Sequence, residues 1–130
     1  MTEHEVLCVF AARFVIESFR DRFVHEALKK PRKLHERICH QIQDVFNESF
    51  KGGVCQFEPN ESCWVFSSVK SMKETTWQSA SKLVGLGDGV LVIGSAGNKF
   101  YAETEAGPGG SIVYASGANP SFNGTPGGAR

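Results

Sequence analysis

The sequence carries no excess of either charge, because 14 lysine and arginine residues are matched by 14 aspartate and glutamate residues. A balanced chain has no overall field that would attract nucleic acid or an anionic membrane. It also contains no apolar run that approaches the roughly 20 residues of a membrane-spanning helix. We therefore expect no membrane segment, and a charged partner would have to be bound by a local patch.

Motifs for cofactor binding and catalysis are missing as well. There is no phosphate-loop lysine, no metalloprotease histidine pair and no Cys-x-x-Cys knuckle. The segment Gly94-Ser95-Ala96-Gly97 is one residue short of a nucleophile elbow and has the composition of a hairpin turn. The glycine-rich residues 85–89 follow a predicted helix instead of preceding one, which favours a turn over a phosphate site. We expect no cofactor and do not favour an enzyme.

Four cysteines and four histidines raise the question of a metal site. His35 and Cys39 have the i, i+4 spacing that places two ligands on one helix face, and Cys55 and Cys63 are further candidate donors. The two hairpin cysteines lack knuckle spacing, however, so we expect His35 and Cys39 to border the core and predict no metal.

The first residues include Glu3 and Glu5, where a signal peptide would carry lysines. This pattern predicts a cytoplasmic protein, in which the cysteines remain reduced and behave as small buried hydrophobes.

The order of the predicted elements indicates the fold class. The first two are a helix over residues 5–28 and a helix from Pro31 to Gly52-Gly53. A hairpin of strands 54–57 and 64–67 follows, and then a helix that is capped by Ser71 and Glu74 and ends at Gly85. The last elements are strands at 90–93, 99–104 and 111–115. This order predicts a single α+β domain over residues 1–115, with two N-terminal helices and a third helix layered on one face of a mainly antiparallel sheet of about five strands. Residues 116–130 are rich in Gly, Pro, Ser and Asn, which predicts a disordered tail.

The first predicted helix is apolar on two sides. One stripe, taken as the core face, consists of Val9, Ala12, Ile16, Phe19, Phe23 and Ala27. Leu7, Phe10 and Phe14, together with Val6, form a second apolar face in the first half of the helix. Either the sheet or the tail covers this second face, or it is a contact surface for a partner or a homodimer.

The segment between residues 29 and 40 is the one concentration of charge. It has five basic residues, namely Lys29, Lys30, Arg32, Lys33 and Arg37, against the single acid Glu36. A solvated helix end is the simple interpretation, and a docking site for an acidic surface or for phosphates is the functional one.

These observations favour a small cytosolic protein-binding module, of the inhibitor or immunity-protein type, that acts by occupying the surface of another protein. Its candidate contacts are Leu7, Phe10 and Phe14 and the basic residues 29–37. A nucleic-acid-binding protein that uses the same basic residues is the alternative. A small enzyme is the second alternative, and its candidate residues are His25, His35, His40, Glu26, Glu36 and Asp44.

Overall fold

The computed structural model describes residues 1–30, 45–54, 56–67 and 73–116. The helices are α1 (Glu3–Phe14), α2 (Arg20–Lys29) and α3 (Trp77–Ala80), and the strands are β1 (Ser62–Ser67), β2 (Lys73–Thr76), β3 (Asp88–Gly94), β4 (Phe100–Glu105) and β5 (Val113–Ala115). The five strands form one antiparallel sheet in the order β2-β1-β3-β4-β5. The predicted α+β class, with two N-terminal helices and a third helix on a five-stranded sheet, is confirmed.

The prediction of one long helix over residues 5–28 is wrong, because the chain leaves the helix after Phe14. Val15 is extended and pairs with Phe46, and the amide of Ile16 donates to the carbonyl of Val45 at 2.7 Å. Val15 and Ile16 are β-branched and suit an extended backbone better than a helix. A 3-10 turn at Glu17–Phe19 then leads into α2.

The start of α1 is fixed by a capping box. The hydroxyl of Thr2 accepts the amide of Glu5, and the Glu5 carboxylate accepts the amide of Thr2 at 2.8 Å. These two bonds satisfy amides that a helix start otherwise leaves without a partner. The first turn of α1 is therefore well defined.

The second predicted helix, from Pro31 to Gly52, lies mostly outside the described residues. Its predicted final turns are not one continuous helix, because Phe46 forms an isolated bridge with Val15. A separate 3-10 turn follows at Glu48–Phe50. The next residues, 51–53, run beside β5: the Gly52 amide donates to the Val113 carbonyl at 2.8 Å, and Lys51 pairs with Tyr114.

Two local predictions around β1 are wrong. Val54, Gln56 and Phe57 are not in a strand, and β1 instead pairs with β2 and β3. The third helix does not begin after Ser71; Glu74 lies in β2, and the cap is Thr76, whose hydroxyl accepts the amide of Ser79. The β-branched pair Thr75 and Thr76 favours a strand, which overrides the capping-box pattern.

The predicted strands at 90–93, 99–104 and 111–115 correspond to β3, β4 and β5. Their side chains alternate between the two faces of the sheet. Leu91, Ile93 and Phe100 pack with α1 and α2, whereas Val90, Val92 and Tyr101 pack with α3 and Phe57. The third helix therefore covers the opposite face from α1 and α2, and the expectation of helices on one face is corrected.

Candidate interaction site

The apolar face predicted to contact a partner is part of the core. Leu7, Phe10 and Phe14 are 1%, 0% and 8% exposed, and they belong to the cluster that joins α1 to the sheet. The ring of Phe10 lies 5.3 to 5.6 Å from the rings of Phe14, Phe23, Phe46 and Phe100. These three residues therefore do not form a contact surface, and the prediction that they do is corrected. The sheet covers them, as the other interpretation of this face expected.

The break after Phe14 explains the error. When residues 5–28 are projected onto a single helix, the buried face predicted for α1 is the one that is in phase with Phe23 and Ala27 of α2. In the structure, the predicted core positions Val9 and Ala12 are half-buried and exposed, respectively. Two helices separated by an extended residue pair do not share one helical phase, so each must be projected separately.

The described part of the basic segment is exposed. Lys29 is the last residue of α2 and Lys30 its C-cap, and both side chains are exposed. Neither ammonium group forms an ion pair with any other residue in the described ranges. Cations at this end of a helix interact favourably with the helix dipole. Arg32, Lys33 and Arg37 lie outside the described residues, and their prediction as contacts stays a prediction.

The inner side of α2, the helix that carries Lys29, is anchored to the core. Phe23 and Ala27 are fully buried, and the ring of Phe23 lies 5.4 Å from that of Phe10. At the start of the helix, the guanidinium of Arg20 donates to the carbonyl of Val15 at 3.0 Å. Leu28, 40% exposed, places an apolar side chain next to Lys29. The lysines are therefore presented by an anchored helix beside an exposed aliphatic group.

A cation and aromatic stack on the opposite face of the sheet was not predicted. The Phe57 ring stacks on Trp77 at 4.8 Å, and the ammonium of Lys99 lies 5.3 Å from the Phe57 ring centre. Lys99 also pairs with Glu61 at 2.8 Å and donates to the carbonyl of Gln56. These contacts fix the turn before β1 against α3 and the sheet. Their members are too far apart in sequence for any local pattern to reveal them.

The Lys99 contact changes the acidity of Glu61. Partial burial raises the pKa of Glu61, but the hydrogen bonds from Lys99 and from the backbone of Glu58, with the charge of Lys99, outweigh it. The net result is a pKa below the ordinary value of 4.5.

A second unpredicted feature is a buried carboxylate. Glu103 is 3% exposed, and its oxygens accept the amide of Gly85 and the hydroxyl of Tyr101, the latter at 2.8 Å. Gly85 belongs to the glycine-rich segment 85–89, which turns the chain from α3 to β3 as predicted. The carboxylate therefore holds that turn against β4.

The structure describes only some of the residues on which the enzyme and metal hypotheses depend. His25 is exposed and Glu26 is half-buried on α2, whereas His35, His40, Glu36 and Asp44 lie outside the described residues. Of the cysteines and histidines weighed as metal ligands, only Cys63 is described, and it is buried in β1. Across residues 1–30, 45–54, 56–67 and 73–116, no three side chains of His, Cys, Asp or Glu lie together as a metal set.

An open groove of about 710 Å³ lies beside the turn between β4 and β5. Residues 104–110 and Ile112 line it. Glu105 is the one ionisable side chain among the described residues that line the groove.

None of the helices within the described ranges is long and apolar enough to cross a membrane. No family model matches the chain, and comparisons with curated proteins and with solved structures find no match either.

Proposed function

We propose that this chain is a small protein-binding module that docks on an acidic surface of another protein through its basic corner, defined as Lys29, Lys30, Arg32, Lys33 and Arg37. The observation that carries the proposal is the exposure of Lys29 and Lys30, with ammonium groups that make no ion pair among the described residues.

Two further features support the proposal. The whole chain has no net charge, whereas residues 29–40 carry a local excess of four positive charges, which would attract an acidic partner to this segment. Complementary charges across an interface accelerate association and fix its orientation. Leu28 beside Lys29 adds the apolar contact that the centre of an interface needs. An inhibitor or immunity-type protein, which acts by occupying its partner, fits such a surface.

The test compares two variants with equal changes in charge. Lys29→Glu with Lys30→Glu reverses the basic corner, whereas Lys51→Glu with Lys82→Glu reverses two other exposed lysines. The wild-type protein and both variants are used to capture partners from a nuclease-treated lysate of the source organism, at low and at high salt.

We expect a stoichiometric protein that the wild type and the 51/82 variant retain, that the 29/30 variant loses, and that high salt releases. Reversing two contact charges should weaken binding by about tenfold or more, mainly through slower association. Equal capture by all three proteins would contradict the proposal. Binding of an RNA or DNA oligonucleotide to the wild type that the 29/30 variant loses would instead favour the nucleic-acid-binding alternative.

A further inference from the structure

His4 and Cys8 form a solvent-facing pair on the first two turns of α1. They are four residues apart, both side chains are exposed, and the Cys8 sulfur lies 3.6 Å from Nε2 of His4. Cys63, the other cysteine within the described ranges, is buried in the sheet. Cys8 is therefore a thiol that faces solvent with an imidazole in contact.

The distance between these two atoms fits a shared metal ion. Zinc lies about 2.3 Å from a thiolate sulfur and about 2.05 Å from an imidazole nitrogen, and a tetrahedral angle then separates the two ligands by about 3.6 Å. The hydrogen-bonded pair already has this sulfur–nitrogen separation. His and Cys one turn apart on a helix use the spacing by which helices commonly present two ligands to zinc.

The backbone beneath the pair is held in place. The capping box of Thr2 and Glu5 fixes the first turn, and Val6, Leu7 and Phe10 bury the opposite side of α1. A ligand pair on such a helix loses little backbone freedom when it binds a metal. The exposed side of the same turns leaves the ion open to other donors.

We propose that His4 and Cys8 bind Zn²⁺ and that the same pair from a second copy of this chain completes a tetrahedral site with two cysteines and two histidines. Each copy supplies two ligands, and no third His, Cys, Asp or Glu lies with them among the described residues. Zinc held structurally in proteins takes four protein ligands. A two-fold axis through the ion supplies the missing pair with a surface that is identical on both copies.

Binding is balanced by proton release. The Cys8 thiol loses its proton to solvent as the sulfur–zinc bond forms, and His4 coordinates as neutral imidazole through a nitrogen lone pair. No oxidation or reduction occurs.

The experiment titrates the reduced, metal-free full-length protein with Zn²⁺ and follows metal content and molar mass by light scattering. We expect saturation at about half an equivalent per chain, with conversion of monomer to dimer. Co²⁺ in place of Zn²⁺ should give the near-ultraviolet charge-transfer band of a cobalt–thiolate bond.

Three variants assign the ligands. His4→Gln and Cys8→Ser should each abolish the metal-dependent dimer and weaken binding by at least tenfold, because even outer-shell changes cost about 10- to 100-fold. Cys8→Ser should also remove the charge-transfer band. The control His25→Gln, an exposed histidine on α2, should behave as the wild type.

Unchanged thermal unfolding of the metal-free variants establishes that they fold. A molar mass that does not respond to Zn²⁺, saturation at one equivalent without dimerisation, or a dimer that survives in Cys8→Ser would each overturn the proposal.

Discussion

Glu103 and Gly85 are 18 residues apart, yet both carboxylate oxygens of Glu103 lie within 3.1 Å of the Gly85 amide nitrogen. The Tyr101 hydroxyl donates to the same carboxylate. Buried carboxylates are rarely tolerated without such donors. The Glu103 side chain thus attaches the turn that leads from α3 to β3 to strand β4.

Replacing Glu103 with leucine should lower the free energy of unfolding by about 1–3 kcal/mol, because the Tyr101 hydroxyl and the Gly85 amide lose their acceptor. Glu103→Gln, which keeps one acceptor oxygen, should cost less. Urea unfolding under reducing conditions measures both. Equal stability of Glu103→Leu and the wild type would show that the carboxylate does not hold the turn.

Phe10→Ala should reduce the free energy of unfolding by about 3–5 kcal/mol, because it removes a fully buried ring that contacts four others. The control Leu28→Ala, at a more exposed position of α2, should change stability by no more than about 0.5 kcal/mol. Chemical denaturation separates the two. A Phe10 variant with unaltered stability would restore the interpretation of this face as a contact surface.

Gly97 in the turn between β3 and β4 has a φ of +70°, and a Cβ there would lie 2.9 Å from the carbonyl oxygen of Val6. Gly52 has a similar φ of +75° with open space around it. Gly52→Ala should cost about 1–2 kcal/mol, the penalty of left-handed backbone. Gly97→Ala should add about 1–3 kcal/mol for crowding against α1.

Thermal unfolding of the two alanine variants, measured side by side, isolates the crowding because the backbone penalty is common to both. Equal losses would mean that the turn and α1 move apart freely.

Glu61 should make stability depend on pH in the acid range. Its pKa in the folded protein is lowered, so its contribution is present above the unfolded value and is lost as the pH falls through the folded one. The difference in unfolding free energy between the wild type and Glu61→Gln should therefore shrink as the pH falls below about 4.5.

Lys99→Met serves as the control for Glu61, because it removes the ammonium that contributes most to lowering the pKa. In that background Glu61→Gln should produce a smaller change with pH. An undiminished pH effect would assign it to other carboxylates.

The sequence predicts best where one pattern dominates. The apolar run Val90–Ile93 followed by turn residues predicted β3 and β4, because a strand buried on both faces has few other interpretations. The break at Val15 and Ile16 was missed, because both flanking segments are helical and the residues that pair with the break, Val45 and Phe46, are distant in sequence. Because this break was missed, the buried face of α1 was predicted wrongly.

The candidate sites, too, could be predicted only where one local pattern dominates. Exposure of Lys29 and Lys30 follows from charge alone and was predicted. The His4–Cys8 pair has the same i, i+4 spacing as His35 and Cys39 but was missed. The predicted first helix began at residue 5 and therefore left His4 outside it. The stack of Lys99, Phe57 and Trp77 depends on three separate segments meeting, which no local pattern encodes.

The backbone of residues 51–53 lies along the outer edge of β5. A Cβ on Gly53 would overlap the carbonyl oxygen of Ala115, so only glycine permits this close approach to β5. Exposed strand edges are where β-proteins polymerise. Of the two end strands of the sheet, β2 and β5, only β5 has backbone hydrogen-bonded to its outer edge among the described residues, so pairing through strand edges would be confined to β2 and would stop at two molecules.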